Sequence, residues 1–138
     1  MHFSKFALVA SASIVASASM FASASAAHDP CKVLPAAKFG AIMGYRATIN
    51  KMASTGMACS YAGPGGSFGR FQILTENAGG PGADAMINNH GPGSSPPAGS
   101  GQVGGMFRQG SIVFFVSIKS NDQAKLRAVV AEIKRNLK

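Results

Sequence analysis

The chain is short of the residues that most active sites are built from. Its 138 residues hold three histidines, two cysteines and five carboxylates. Those carboxylates are Asp29, Glu76, Asp84, Asp122 and Glu132. Nucleophilic hydrolysis needs a Ser or Cys beside a histidine base with an orienting acid, and His90 is the one histidine well inside the chain. Paired carboxylates for glycoside cleavage have Glu76 and Asp84 as their nearest candidates, and both border a Gly/Pro-rich stretch. No Gly-Lys-Ser/Thr follows any glycine cluster, so a nucleotide phosphate cradle is not expected. Cys-x-x-Cys is absent, which argues against a dithiol redox centre. These shortages predict a protein that is not an enzyme and carries no cofactor.

An unbroken apolar run is missing too. Residues 1–27 place Lys5 before an uncharged Ala, Val, Ser and Phe stretch that ends in small residues. Serines interrupt it, whereas a spanning helix wants about twenty predominantly apolar residues. The pattern is that of a cleaved secretory signal. Ala24 and Ala26 place the cut before Ala27; Ser25 and Ala27 place it before His28. No cysteine sits where a lipid would be attached. The reading is therefore a soluble periplasmic or secreted protein, with one domain over 28–138.

What is present is positive charge and two thiols. Beyond the signal, twelve Lys and Arg face five Asp and Glu, a net +7. A basic exported surface suits an envelope or extracellular partner, an anionic one included. Cys31 and Cys59 in an oxidising compartment form a disulfide by default. Closing that loop restricts the unfolded chain by about 3.5 kcal/mol.

Along the domain, "CKVLPAAKFGAIMGY" reads as one short helix. Pro35 lies in its first turn, Phe39, Ile42 and Met43 share a face, and Gly44 stops it. A strand is expected within 45–51. "MACSY" and "FGRFQIL" alternate and make a hairpin around "AGPGGS". "GADAMINNH" suits a short helix with Ala83, Met86 and Ile87 on one side. Residues 91–101 then read as a flexible Gly/Pro/Ser connector, with no periodicity and almost nothing apolar. "GSIVFFVSIK", apolar on both faces, is an interior strand with "QVGGMF" as its hairpin partner. The last segment is an amphipathic helix with Leu126, Val129, Val130, Ile133 and Leu137 in one stripe, capped by Ser120 and Gln123. The expected fold is α+β: an antiparallel sheet of about four to five strands, with the N- and C-terminal helices on one face and one disulfide.

The opening Asp29-Pro30-Cys31, the helix closed by Gly44 and the Cys59-x-Tyr61 strand resemble a group of small exported bacterial domains of unknown function, often lipoproteins. Gly110, Val113 and the polar-capped helix from Leu126 onwards are similar to that group's ending. The resemblance implies an α+β fold and a Cys31–Cys59 bond, and implies no activity.

The function expected is an exported, soluble, non-catalytic binding or structural module. Two alternatives carry named residues. A basic envelope surface, contacting anionic lipid or cell wall, would use Lys125, Arg127, Lys134, Arg135 and Lys138. A periplasmic copper site would use an N-terminal His28 with His90, and Met43, Met52, Met57, Met86 and Met106 as candidate soft ligands. Nucleic acid is not expected as a partner: Phe68–Arg70 and Phe107–Arg108 pair aromatic with basic residues, but no basic run joins them.

Overall fold

Two prolines shape the first helical segment. The computed structural model describes residues 28–94 and 96–138, with side chains described outside 89–95, so the expected signal and the His90 side chain lie outside the described residues. Helix α1, Pro30–Val33, starts at an Asp29 cap whose Oδ1 accepts the Cys31 N–H at 3.0 Å. Pro30 opens the helix, where its missing N–H costs nothing. Leu34 leaves helical geometry (φ −126°, ψ 88°), as a residue before proline tends to. Helix α2, Ala36–Met43, then begins after Pro35. The single helix expected here is therefore two, with Pro35 capping the second from outside its first turn. Gly44 ends α2 with φ 84°, a left-handed turn cheap only for glycine, and its N–H reaches Gly40 O at 2.8 Å.

Five antiparallel strands follow: β1 (Thr48–Ile49), β2 (Ala58–Ala62), β3 (Phe68–Thr75), β4 (Val103–Gln109) and β5 (Ile112–Ile118). Their order is β1-β2-β3-β5-β4. The first strand is two residues long, a fragment of the 45–51 segment expected. A 3-10 turn at Pro64–Gly66 joins β2 to β3. In β3, Gly69, Phe71 and Ile73 are buried in alternation, the period-2 signature of one covered face. β5 lies between β3 and β4 and is buried along nearly all its length, which explains why its apolar residues do not alternate.

The two faces of the sheet are covered unequally. Tyr61, Phe71, Ile73, Phe114, Val116 and Ile118 belong to one core with Leu34, Phe39 and Met43 and with Leu126, Val129 and Ile133 of helix α4, Gln123–Asn136. The terminal helices thus share a face, as expected. Phe39 stacks on Tyr61 at 4.3 Å between ring centres, and Phe71 meets Phe114 edge-on at 5.7 Å. The Tyr61 hydroxyl donates to Leu34 O at 2.5 Å, satisfying a carbonyl left over where α1 breaks. Burial, and then the charge of Asp29, push the Tyr61 phenol well above its ordinary pKa.

Helix α3, Gly80–Ser94, lies on the opposite face. Phe107 pairs with the core residue Phe114, so the next pair, Arg108 and Val113, faces away from the core. Arg108 there bonds Gly80 O at 3.3 Å and the Asp84 carboxylate, and Ala83 and Val113 are fully buried. Met86 and Ile87 are half-buried, so the expected inner side of this helix is the observed one. Its length is not: α3 takes in 91–94, so the connector expected over 91–101 is helical in its first four residues.

The cap of α4 also differs from the expectation. Asp122 is the N-cap, accepting from Ala124 N at 2.8 Å and Lys125 N at 3.4 Å. Ser120 sits two residues too early and instead accepts the Asp122 N–H at 3.0 Å. The Ser120–Gln123 capping box is replaced by a carboxylate cap, which also meets the positive end of the helix dipole.

Candidate binding groove

The disulfide is in place. Cys31 in α1 is joined to the fully buried Cys59 of β2, with their Cα atoms 5.1 Å apart and 28 residues of separation. Together with Asp29 and Pro30 it gives the Asp-Pro-Cys opening a structural role: cap, first turn and staple.

The polar residues available for chemistry are engaged elsewhere in the fold. Glu76 Oε1 receives both the His28 backbone N–H at 3.1 Å and the ring Nδ1 at 2.5 Å. Asp84 is paired with Arg108 across α3 and β4, so Glu76 and Asp84 are held by separate partners. Copper held by the amine and imidazole of His28 would compete with Glu76 for Nδ1. Met43 is in the core, and Met52 is 97% exposed at the far end of the sheet. Among the described residues no group of three or more His, Cys, Asp or Glu is arranged to hold a metal ion.

Sequence reasoning passed over one pattern. Gly65-Gly66-Ser67-Phe68-Gly69 matches the lettering of a nucleophile elbow. An elbow turns from strand into helix with strained backbone, whereas Ser67 joins a 3-10 turn to strand β3 at φ −63°, ψ 138°, ordinary extended values. No histidine hydrogen-bonds Ser67 among the described residues, and the segment is a hairpin connection.

The basic residues of α4 divide into groups. Lys125 Nζ donates to Met43 O at 3.0 Å, serving the carbonyl end of α2. Arg135 pairs with Glu132 at 3.0 Å, one helical turn away. Lys138 is exposed at the C-terminus. Arg127 and Lys134 form no hydrogen bond or ion pair with a described residue; instead they line a groove between α4 and β4. The expected basic surface is thus two partnered cations, two groove cations and a terminal one. Arg70 and Arg108, raised as candidates for nucleic acid, work inside the fold: Arg70 bonds Ser60 Oγ at 2.9 Å and Ala53 O at 3.0 Å, and Arg108 holds α3.

The groove encloses about 670 Å³. Its strand wall is Gly104, Gly105, Met106 and Phe107; its helix wall is Gln123, Leu126, Arg127, Val130, Ala131 and Lys134. The helix positions recur every three to four residues, so they form one stripe. Phe107, Leu126 and Val130 make an apolar floor, since they also touch or belong to the core. β4 is the outermost strand, and among the described residues its backbone forms no bond beyond its ladder with β5. Gly104 is fixed by packing: a Cβ there would lie 2.5 Å from Val116 O and 3.0 Å from Ser117 Cα. A Cβ on Gly105 would make only ordinary contact with the Phe107 ring, at 3.6 Å. The sequence offered Arg127 and Lys134 as part of a basic surface but not the groove, because whether β4 is an edge depends on the order of all five strands.

Neither the described elements nor their burial include a helix long and apolar enough to cross a membrane. No family model matches the chain, and no curated protein or solved structure does.

Proposed function

We propose that the chain is an exported, non-catalytic binding module whose working surface is the groove between β4 and α4. The observation that carries this reading is a coincidence of three features in one place: an apolar floor, and a strand edge and two cations that have no partners among the described residues. Ligand sites are typically concave and mostly apolar, with a few polar groups that fix orientation. Export is supported by the signal-like residues 1–27 and by the Cys31–Cys59 bond. A non-catalytic role is supported by the internal use of Glu76, bonded to His28, and of Asp84, paired with Arg108.

Site-specific crosslinking tests the reading. A photoreactive residue at Ala131, exposed on the helix wall of the groove, captures a partner from envelope extract. The same residue at Met52, exposed at the far end of the sheet, does not. Equal capture from both positions, or from neither, contradicts the reading. So does saturable turnover on a hydrolase substrate panel that is lost with Glu76→Gln.

A further inference from the structure

We propose that the groove takes an extended acidic peptide segment, which adds to β4 as a sixth strand of the sheet. This rests on the binding-module reading above and names its ligand class.

The two edges of the sheet are not equivalent. β1 is two residues long, and shortness is one of the ways proteins blunt an edge. β4 is seven residues long. It contains no lysine or proline, and its one charged side chain, Arg108, is held by Asp84 and α3 on the opposite face. Among the described residues its outer row of backbone groups is open to another strand, the mode in which main-chain bonds give affinity and pockets for alternate side chains give specificity. Gly104 and Gly105 lie side by side on this strand. Gly104 is held against β5, and Gly105 raises no side chain into the groove, which leaves room there for another backbone.

The groove then sets the side-chain pattern. Val130 lies between Arg127 and Lys134 on α4, and those two cations are about 10 Å apart along the helix axis at 1.5 Å per residue. Alternate residues of an added strand share a face at about 7 Å spacing. An apolar residue over Val130 and Phe107 thus places its neighbours two positions away within reach of Arg127 and Lys134. The matching pattern is acidic-x-apolar-x-acidic.

Charge completes the choice of occupant. Asp29 and Asp122 cap helices, Glu76 is hydrogen-bonded to His28, and Asp84 and Glu132 are in ion pairs. All five carboxylates of the chain are thereby engaged, against a formal net charge of +8. Carboxylates facing Arg127 and Lys134 must come from the partner. A second copy would bring the same two cations to the same edge.

The test titrates the purified, oxidised, isotope-labelled protein with end-blocked peptides and follows backbone amide shifts. The acidic probe is Ser-Glu-Thr-Val-Thr-Glu-Ser, and a control replaces both Glu with Lys. Two further isomers of the acidic probe are N-methylated on alternate amides, one set for each edge of the extended peptide. The acidic probe should saturate, with shifts concentrated in 103–109 and 123–134. The lysine control should bind at least about tenfold more weakly, the scale expected when attraction is exchanged for like-charge contact. One N-methyl isomer should lose binding while the other keeps it, because only one edge pairs with β4. Arg127→Glu with Lys134→Glu should reverse the preference between the acidic and lysine peptides, with distant amides unmoved. Equal binding by both N-methyl isomers overturns strand addition, and equal binding of the lysine control overturns the charge argument. Concentration-dependent β4 shifts without peptide overturn the peptide occupant in favour of a second copy. Saturable shifts on another surface, or none with any peptide, overturn the inference; the Ala131 crosslink separately decides whether the groove binds anything.

Discussion

Replacing both Cys31 and Cys59 with alanine should weaken the fold sharply without abolishing it. The bond closes a loop of 28 residues that contains all of α2 and β1. In the loop-entropy description its removal frees the unfolded chain by about 3.5 kcal/mol. That is a large share of the 5–15 kcal/mol typical of a domain. For about 110 residues the entropy of unfolding is roughly 0.23 kcal/mol per kelvin, so the midpoint should fall by about 15 °C. The assay is thermal unfolding followed by circular dichroism, on the oxidised protein, the reduced protein and the double variant. Reduced wild type and double variant should melt within a few degrees of one another, which separates the cross-link from the packing of the sulfur atoms. Intact mass with and without reductant should differ by two protons. A midpoint drop under about 4 °C, or two free thiols in exported protein, would refute the reasoning.

Tyr61→Phe should cost about 1–2 kcal/mol by orphaning Leu34 O in the core, measured by denaturant unfolding. The buried Tyr61 phenol titrates above its unfolded value of about 10, so its contribution is fully present below that pH and is lost as pH climbs above it. Wild type should therefore lose stability on raising the pH above about 10, and Tyr61→Phe should flatten that slope. Asp122→Ala should cost about 1 kcal/mol by removing the α4 cap, whereas Ser120→Ala should cost markedly less. Gly69→Ala should destabilise by about 1–3 kcal/mol, since a Cβ there runs into the Phe39 ring; Phe39→Leu in the same chain should recover part of the loss.

The parts legible in sequence are those where one physical pattern has no local competitor. Ile112, Phe114, Val116 and Ile118 repeat every second residue, and Val113 fills the other face, so β5 reads as interior. The stripe from Leu126 to Leu137 repeats at helical spacing and has no breaker within it. Two cysteines leave one intramolecular pairing. Harder features involve choices between near-equal local options. Ser120 and Asp122 both offer a capping oxygen, and only the docking of Leu126 and Val129 on the sheet selects the start of α4. Pro35 is acceptable inside or just before a helix, and the Tyr61 bond to Leu34 O favours the break. Gly91 and Pro92 oppose helix on propensity, yet α3 carries through them, with Ala83 and Arg108 docking its earlier turns. The groove was beyond reach for a different reason. Arg127 and Lys134 look like Lys125 and Arg135 in sequence; the difference is that Met43 O and Glu132 lie beside the latter pair.

Amide hydrogen exchange along β4 is the most direct measure of the central claim. In the protein alone, the amides of 103–109 that face away from β5 should exchange fast, because they have no backbone partner among the described residues. With the acidic peptide at saturation, the same amides should slow by at least about tenfold, while those already paired with β5 change little. Unchanged exchange at the outward amides under saturating peptide would contradict the account.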